Sequence, residues 1–244
     1  RVMSRYPASP DEILDEFVAD YRKVLDEDLI SVVLFGRATS GVWKRKESEI
    51  NFLLIVKPAA LESIGRILPL VKKWQKRAVA VPMVMSEDYL LSSLDSFPLE
   101  FFNLIHSHKL VYGKDVLKPL QISMELLRLQ CENQIKGKLV HLRAEFLTTQ
   151  GDAKKIRRLI QATIPTFTHV FKGLLTFKGL QVADQPEAVF TAAAETYSLD
   201  QAVLERVLQV GRSRGKVEEK EGISLMEKYI AEIRKLAFAI DQTK

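Results

Sequence analysis

The pattern of apolar and polar residues changes about halfway along the chain. In the first half, short apolar runs at 30–35, 50–56, 79–85 and 109–112 alternate with segments of helical periodicity. Such short runs, bounded by turn residues, are typical of buried strands. From Leu120 onward the apolar residues recur only at helical spacing. Strands followed by helices predict an α+β class, with a mixed sheet and its helices first and an all-α helical bundle second.

Three prolines modify these predictions, because proline lacks the backbone N–H that helices and sheets use. Pro69 predicts a kink in a helix around residues 61–71. Pro82 predicts that the strand at 79–85 lies at an edge of the sheet or contains a bulge. Pro165 predicts an interruption in the second helix of the bundle.

The second half of the chain carries several helix signals. One apolar stripe crosses its first helix and consists of Met124, Leu127, Cys131, Ile135, Leu139, Leu142 and Phe146. Gly151 ends this helix, and Asp152 is placed to cap the next one. The segment 198–201 reads as a capping box, with Ser198 at the start of a fourth helix.

Length and composition indicate a globular protein with two domains. The 244 residues are 47% hydrophobic and 27% charged, which is ordinary for a chain that buries a core. The change of periodicity places the domain boundary near residues 118 and 119, so the predicted domains are 1–118 and 119–244. The only cysteine, Cys131, lies in the apolar stripe and is interpreted as a small buried side chain.

Charge and hydropathy narrow the choice of partners. The formal net charge of +5 and the pI near 9.2 suit a ligand that carries phosphate. They fall short of the dense basic stripe of a dedicated nucleic-acid binder, so nucleic acid is not the expected partner. No apolar run approaches the roughly 18–20 residues of a membrane span, so no membrane is expected. A single cysteine, with no partner for a disulfide, fits a cytoplasmic location.

The segment 32–56 is the most informative one for function. An apolar run ends at Phe35, a turn that contains glycine and serine follows, and a second apolar run begins at Ile50. Glu49 and Asn51 stand two residues apart at the start of that second run, so both should project from one face of a strand. A turn that offers backbone N–H groups beside paired oxygen ligands is typical of metal-dependent phosphoryl-transfer sites.

Residues 30–56 resemble the motif of the nucleotidyltransferase superfamily, which includes the kanamycin nucleotidyltransferases, polymerase beta and the small bacterial minimal nucleotidyltransferases. That motif reads roughly hhhFGSxxxGxxxxxSDIDhhh, where h is apolar. The matching residues are Leu34, Phe35, Gly36, Gly41, Ser48, Ile50 and the run 52–56. Three positions differ, since Arg37 stands at the serine and Glu49 and Asn51 stand at the two metal-binding aspartates.

The resemblance implies a nucleotidyltransferase-like fold and, for an active enzyme, Mg²⁺ and an NTP as cofactors. It implies that Glu49 and Asn51 are the catalytic residues and metal ligands. Glu47, two residues before Glu49, joins them as a metal ligand if the strand begins early. It assigns nucleotide binding to the residues of the turn, which are Gly36, Arg37, Thr39, Ser40, Gly41 and Lys44. In the family, three carboxylates hold two Mg²⁺ ions, and the third carboxylate comes from a neighbouring strand.

Compared with the family, the catalytic centre of this chain reads as degenerate. Glu49 is one methylene longer than aspartate, and Asn51 offers a carbonyl oxygen without a negative charge. The segment 79–85 is the expected source of the third acid, but it contains no carboxylate. Glu87 or Asp88, just beyond that segment, would have to substitute for it.

The basic residues and the histidines leave alternatives open. Arg37 either forms a salt bridge with a phosphate or fills the pocket and blocks it. The Lys-Arg-Lys run at 44–46 is either a solvated loop or an electrostatic funnel for phosphates. His106 and His108 would share a strand face as a metal pair, but without a third ligand nearby they are better interpreted as ordinary histidines.

These observations favour a nucleotidyltransferase-fold protein with a degenerate catalytic centre, which binds a nucleotide or a phosphorylated small molecule in a cleft between the domains. The first alternative is an active enzyme that moves an NMP from an NTP to a hydroxyl of a small molecule or a protein. The second is a partner-binding, antitoxin-like module, whose helical domain binds a protein partner or forms a homo-oligomer.

Overall fold

The first half of the chain folds around a four-stranded sheet in the computed structural model, which describes residues 6–212 and 218–241. The strands are β1 (Leu29–Phe35), β2 (Asn51–Val56), β3 (Met83–Met85) and β4 (His108–Gly113). They lie in the order β3-β2-β1-β4. Because β2 is parallel to β3 while β1 is antiparallel to both β2 and β4, the sheet is mixed, as predicted.

Short helices connect and cover these strands. They are α1 (Leu14–Leu25), α2 (Pro58–Glu62), α3 (Leu68–Gln75), α4 (Glu87–Ser92) and α5 (Pro98–His106). Short 3-10 helices span Pro10–Ile13, Asp26–Asp28, Gly36–Ala38 and Ile64–Ile67. Pro69 lies in the first turn of α3, where its missing N–H has no helical partner to lose. In place of the single kinked helix expected around 61–71, the chain forms separate short helices, and α3 begins at Leu68 just before the proline.

Both faces of the sheet are covered, which explains why β2 is apolar without alternation. On one face, Phe17 of α1 stacks on Phe52 with their ring centroids 3.8 Å apart. Trp74 of α3 meets the same Phe17 edge-on, at 5.2 Å between centroids. On the other face, Val33 and Leu53 pack in a buried cluster with residues of α4 and α5.

Strand β3 is shorter than the predicted segment 79–85. Val79 forms only an isolated parallel bridge with Ile50, and the ladder with β2 resumes at Met83. Pro82 lies between these two points of pairing, where it removes no ladder hydrogen bond. Since β3 is also an edge strand, the prediction drawn from Pro82 is confirmed.

The second half of the chain is helical in the ranges that the structure describes. Its helices are α6 (Met124–Thr148), α7 (Ala153–Phe177), α8 (Pro186–Tyr197), α9 (Gln201–Arg212) and α10 (Glu219–Asp241). The predicted stripe of α6 is buried from Leu127 to Leu142, whereas Met124 is exposed and Phe146 is half-buried. The expected cap of α7 is present, because Asp152 accepts the N–H of Lys155 at 2.7 Å.

Two predictions about the helices are wrong. Pro165 does not interrupt α7, which runs continuously through it. The proline lies on the exposed side of the helix, where carbonyl groups that lose their N–H partner turn to water. Ser198 does not cap α9 but ends α8 in a left-handed conformation, with a φ of 54°. The cap of α9 is Asp200, whose carboxylate accepts the N–H of Val203 at 3.1 Å.

The chain divides into two compact units, one up to Ile122 and one from Ser123 onward. The first contains the mixed sheet and the second the long helices, so the α+β class with a following helical region is confirmed. The domain boundary at residues 118 and 119 stays a prediction. Within 6–212 and 218–241, no helix is long and apolar enough to cross a membrane.

Candidate functional site

The turn after β1 is built around Gly36. Its φ of +74° is a left-handed conformation that glycine adopts without the steric cost of a Cβ. Thr39 N–H then donates to the carbonyl of Gly36 at 3.0 Å and closes the short helix Gly36–Ala38. A Cβ placed on Gly36 would lie 3.4 Å from Nδ2 of Asn51. The turn therefore passes directly beside the side chain of Asn51.

Asn51 belongs to a row of residues that crosses the end of the sheet. It pairs with Phe35 of β1, and Phe35 pairs with His108 of β4. Because paired residues on neighbouring strands project from the same face, these three side chains share one side of the sheet. Asn51 is half-buried, and its side-chain amide has no hydrogen-bond partner among the described residues. Its oxygen and nitrogen are thus available to a ligand at the turn.

Glu49 lies two residues before Asn51. Ile50 between them is fully buried and forms the bridge to Val79, whereas Glu49 is exposed. This alternation places the side chains of Glu49 and Asn51 on one face of the segment that leads into β2. Glu49 makes no hydrogen bond or ion pair with the part of the chain that is described. One free carboxylate and one free amide therefore flank the turn.

The hydroxyl of Thr39 anchors the turn to a distant segment. It donates to the carbonyl of Ser107 at 2.8 Å and lies 3.2 Å from the Ser107 hydroxyl. Ser107 connects α5 to β4, so this contact joins the turn to the opposite edge strand. Ser40 makes only a contact of 3.5 Å with the carbonyl of Arg37, at the limit of a hydrogen bond. Of the two hydroxyls assigned to ligand binding, that of Ser40 is the one left available.

The basic residues of the connection have different surroundings. Arg37 is exposed, and its guanidinium has no partner in the described ranges. Lys44 makes only a long contact of 3.9 Å with Glu47, and both side chains are about 70% exposed. Arg45 instead donates to the carbonyls of Pro7 and Tyr6, at 3.1 and 2.9 Å. Arg37 and Lys44 are therefore the cations that a ligand could recruit, while Arg45 holds the chain in place.

A second turn, within the connection, is organised by Ser48. This buried residue accepts the N–H of Lys44 on its hydroxyl at 3.2 Å and donates its own N–H to the Lys44 carbonyl at 2.8 Å. Gly41, earlier in the connection, has a φ of +74° and open space around the position of a Cβ. Ser48, immediately before Glu49, thus fixes the backbone of Lys44.

The acids around the turn do not form a cluster suited to a metal ion. No group of three or more His, Cys, Asp and Glu side chains in the described ranges could hold one. Next to β2, Met83 of β3 and Val81 before it are apolar, and they are 43% and 61% exposed. The donor set of Glu49, Asn51 and Glu47 contains only two carboxylates, one of which faces Lys44. It does not fit a centre for two Mg²⁺ ions, which requires several anionic oxygens.

The two acids beyond β3 are occupied with other partners. Glu87 forms an ion pair with Lys114 at 2.6 Å. A hydrogen bond from the side chain of Ser86 lowers the pKa of Asp88 below its usual value. Both residues lie in the first turn of α4, where carboxylates also stabilise the helix dipole. These contacts give Glu87 and Asp88 a structural role at the start of the helix.

His106 and His108 do not share a strand face, so the arrangement expected for a metal pair is absent. His106 ends α5 and stacks on Phe102 at 4.0 Å between ring centroids. His108 begins β4, and its Nε2 lies 3.3 Å from a carboxylate oxygen of Asp115. Ser107, between them, contacts the turn without any motif in the sequence that indicates it. A hydroxyl that contacts a residue 68 positions away leaves no local signal in the sequence.

The fold resembles that of a solved enzyme over nearly its whole length. The similar structure is a crystal structure of spectinomycin adenyltransferase AAD(9) from Enterococcus faecialis with ATP and spectinomycin. The TM-score is 0.57, and the match covers 95% of this chain and 99% of that one. This protein has the nucleotidyltransferase fold. The expectation drawn from residues 30–56 is thereby confirmed for the fold.

The comparison reaches no further than the fold, because the sequences are only 15% identical. No protein-family model matches this sequence. No curated protein matches it either. The chemistry of the site therefore depends on the residues around Gly36 and Asn51 themselves.

Proposed function

We propose that this protein binds a nucleotide or another phosphorylated small molecule at the turn Gly36–Gly41, in a centre that has lost ordinary two-metal catalysis. The main observation behind this proposal is the surroundings of Arg37. Its exposed guanidinium has no partner in the described part of the chain, and it directly follows the left-handed Gly36 beside Asn51. An arginine offers several N–H donors in a planar fork that matches phosphate oxygens.

The other residues of the turn have distinct roles in this proposal. Backbone N–H groups around Gly36 and Gly41 face a phosphate, as in other glycine-containing anion sites. Lys44 adds a second positive charge, and the Ser40 hydroxyl adds a hydrogen bond. Thr39 keeps the turn in position through Ser107 and does not contact the ligand. The similar adenyltransferase was crystallised with ATP, which supports a nucleotide as the first ligand to test.

Loss of catalysis follows from the donor set. Two Mg²⁺ ions need anionic ligands on the strand that carries Glu49 and Asn51 and on the strand beside it. Asn51 is neutral, and the segment 79–85 contributes no acid. A phosphate held by Arg37 needs no metal to compensate its charge. Binding without Mg²⁺ is therefore the behaviour that separates this proposal from ordinary nucleotidyl transfer.

Titration calorimetry with ATP, GTP, CTP and UTP, each with EDTA and with Mg²⁺, tests the proposal. At least one nucleotide is expected to bind in EDTA. Hydrogen bonds to charged groups contribute about 1.5–3 kcal/mol, so Arg37→Ala should weaken that binding about 10- to 100-fold. Arg37→Lys should recover part of it, because a lysine keeps the charge but not the fork.

Lys57→Ala is the matched control. Lys57 is an exposed cation that follows Val56, at the opposite end of β2 from Asn51. Removing it changes the net charge as Arg37→Ala does but leaves the turn intact, so it should change the affinity less than twofold. Equal effects of the two variants, or no binding of any nucleotide by the wild type, would contradict the proposal.

An active transferase is the second candidate, because Glu49 and Asn51 project from one face beside the turn as two metal ligands would. Incubation with labelled ATP and Mg²⁺, with spectinomycin and with the protein itself as acceptors, tests it. Spectinomycin is chosen because the similar adenyltransferase was crystallised with it. Label transfer that disappears in Glu49→Ala would establish catalysis and would contradict a degenerate catalytic centre. Nucleotide binding without label transfer would support a degenerate centre.

A further inference from the structure

In the helical unit, α6 and α10 border a groove of about 200 Å³. The residues that line it are Lys136, Leu139, Arg143, Arg234, Ala237 and Phe238. Leu139 and Ala237 are buried and form an apolar floor, whereas Phe238 stands 56% exposed at the rim. The groove is smaller than the roughly 300–1,000 Å³ of a pocket for a drug-sized ligand. Its size suits one or two side chains of a larger partner.

The apolar surface continues along α6 beyond the groove. Leu129, Val140 and Leu147 are 39%, 63% and 76% exposed. Lys136 and Arg143 lie between them at helical spacing, so all five residues share one face of the helix. At about 1.5 Å per residue this face extends for about 27 Å, which matches a partner helix of about five turns. Exposed apolar and basic side chains therefore alternate along this face.

The charge of this surface is positive. Arg143 has no hydrogen bond or ion pair with the described residues, and Arg234 lies 5.1 Å from the centre of the Phe238 ring. Lys136 pairs with Glu132, but Glu132 also pairs with Arg128, so this neighbouring acid is already balanced. None of the six lining residues is acidic. The groove therefore offers positive charge beside an apolar floor.

We propose that this groove and the exposed face of α6 bind an acidic amphipathic helix of a partner protein. Apolar side chains one turn apart on that helix enter the groove and cover Val140 and Leu147. Asp or Glu residues that flank them pair with Arg143 and Arg234. This mode of recognition combines a helix in a groove with complementary charge. The proposal concerns the helical unit and does not depend on the ligand site at Gly36.

Two other occupants fit the surface less well. A second copy of this chain would bring Arg143 and Arg234 close to their own counterparts, and such like charges repel. An anionic membrane would contact the exposed face of α6, but a flat lipid surface leaves the concave floor at Leu139 and Ala237 uncovered. An acidic helix satisfies both the charge and the concavity.

Selection from a displayed library of helical peptides, with full-length protein as the target, tests the proposal. The enriched peptides are expected to carry Leu or Phe at helical spacing with flanking Asp and Glu. Fluorescence anisotropy of an enriched peptide should show at least tenfold weaker binding for Arg143→Glu and for Phe238→Ala. Lys154→Glu is the matched control, since this exposed cation lies on α7 and does not line the groove, and it should leave the affinity unchanged.

Both variant sites are exposed, so circular dichroism should show unchanged folding in each variant. Enriched peptides without an acidic bias, or affinities that Arg143→Glu does not reduce, would overturn the proposal. Two further outcomes would also overturn it. One is binding to phosphatidylserine–phosphatidylcholine vesicles, but to no peptide, that is lost in Arg143→Glu. The other is a dimer in sedimentation equilibrium that Phe238→Ala dissociates.

Discussion

Asp20 joins α1 to α3 through two different contacts, and substituting it separates their contributions. One carboxylate oxygen accepts from Nζ of Lys73 at 2.5 Å and from the indole N–H of Trp74 at 3.1 Å. The Trp74 side chain is only 1% exposed, so its N–H has no ready access to water. Lys73 is partly exposed and has a second partner in Glu16. The hydrogen bond to Trp74 should therefore matter more than the ion pair.

Asp20→Asn keeps a carbonyl oxygen for the indole N–H and removes only the charge. A partly exposed ion pair contributes about 0–1 kcal/mol, so this variant should lose no more than that. Asp20→Ala also leaves the buried N–H of Trp74 unpaired, which costs about 1–3 kcal/mol more. We expect the alanine variant to be the less stable of the two by about 1–3 kcal/mol.

Urea unfolding followed by tryptophan fluorescence measures this difference. Both tryptophans, Trp43 and Trp74, lie in the first unit, so their emission reports its unfolding without a signal from the helical unit. Glu62→Ala serves as a control, because Glu62 is exposed and has no partner in the described ranges. Equal losses of stability in Asp20→Asn and Asp20→Ala would refute the reasoning, since the hydrogen bond to the indole would then contribute nothing.

Two further predictions concern the first unit. Hydrogen bonding from Lys73 lowers the pKa of Glu16 in the folded state. The resulting stability is present above the unfolded pKa of about 4.3 and is lost as the pH falls through the folded value. The free energy of unfolding, measured by fluorescence, should thus fall as the pH is lowered, and it should fall less steeply in Glu16→Gln than in the wild type. Parallel curves of stability against pH for the two proteins would contradict this prediction. The second prediction concerns Gly113, where an added Cβ would lie 1.9 Å from the carbonyl oxygen of Ile30. Gly113→Ala should therefore lower the free energy of unfolding in urea by about 3 kcal/mol or more. A loss below about 1 kcal/mol would exclude that clash.

Periodicity predicted most of the fold, because burial in regular elements follows the repeat of the backbone. The run 52–56 is buried at every position, as an apolar strand covered on both faces must be. The stripe of α6 is buried from Leu127 to Leu142 because these residues lie on one side of the helix. Met124 has the same helical spacing, but it is exposed because no neighbouring element covers this end of α6.

Local rules failed where two conformations of a segment are close in energy. Pro165 normally ends a helix, yet α7 continues because Phe167 and Ile160 on either side are buried in the helical unit. Ser198 and Asp200 are both good caps, and the sequence alone does not rank them. The left-handed turn at Ser198 ends α8 and leaves the cap of α9 to Asp200. At Pro165, tertiary packing thus outweighed a preference of about 3 kcal/mol.

For the candidate site, residue spacing alone specifies the frame. Phe35 and the glycine after it end one apolar run, Ile50 begins the next, and the period of two puts Glu49 and Asn51 on one face. Packing decides which of these groups stay free. Thr39 is held by Ser107, while Arg37 meets no partner among the described residues. Which side chains of the turn find partners depends on contacts between segments far apart in sequence. A local sequence pattern does not indicate which distant segment will lie beside it.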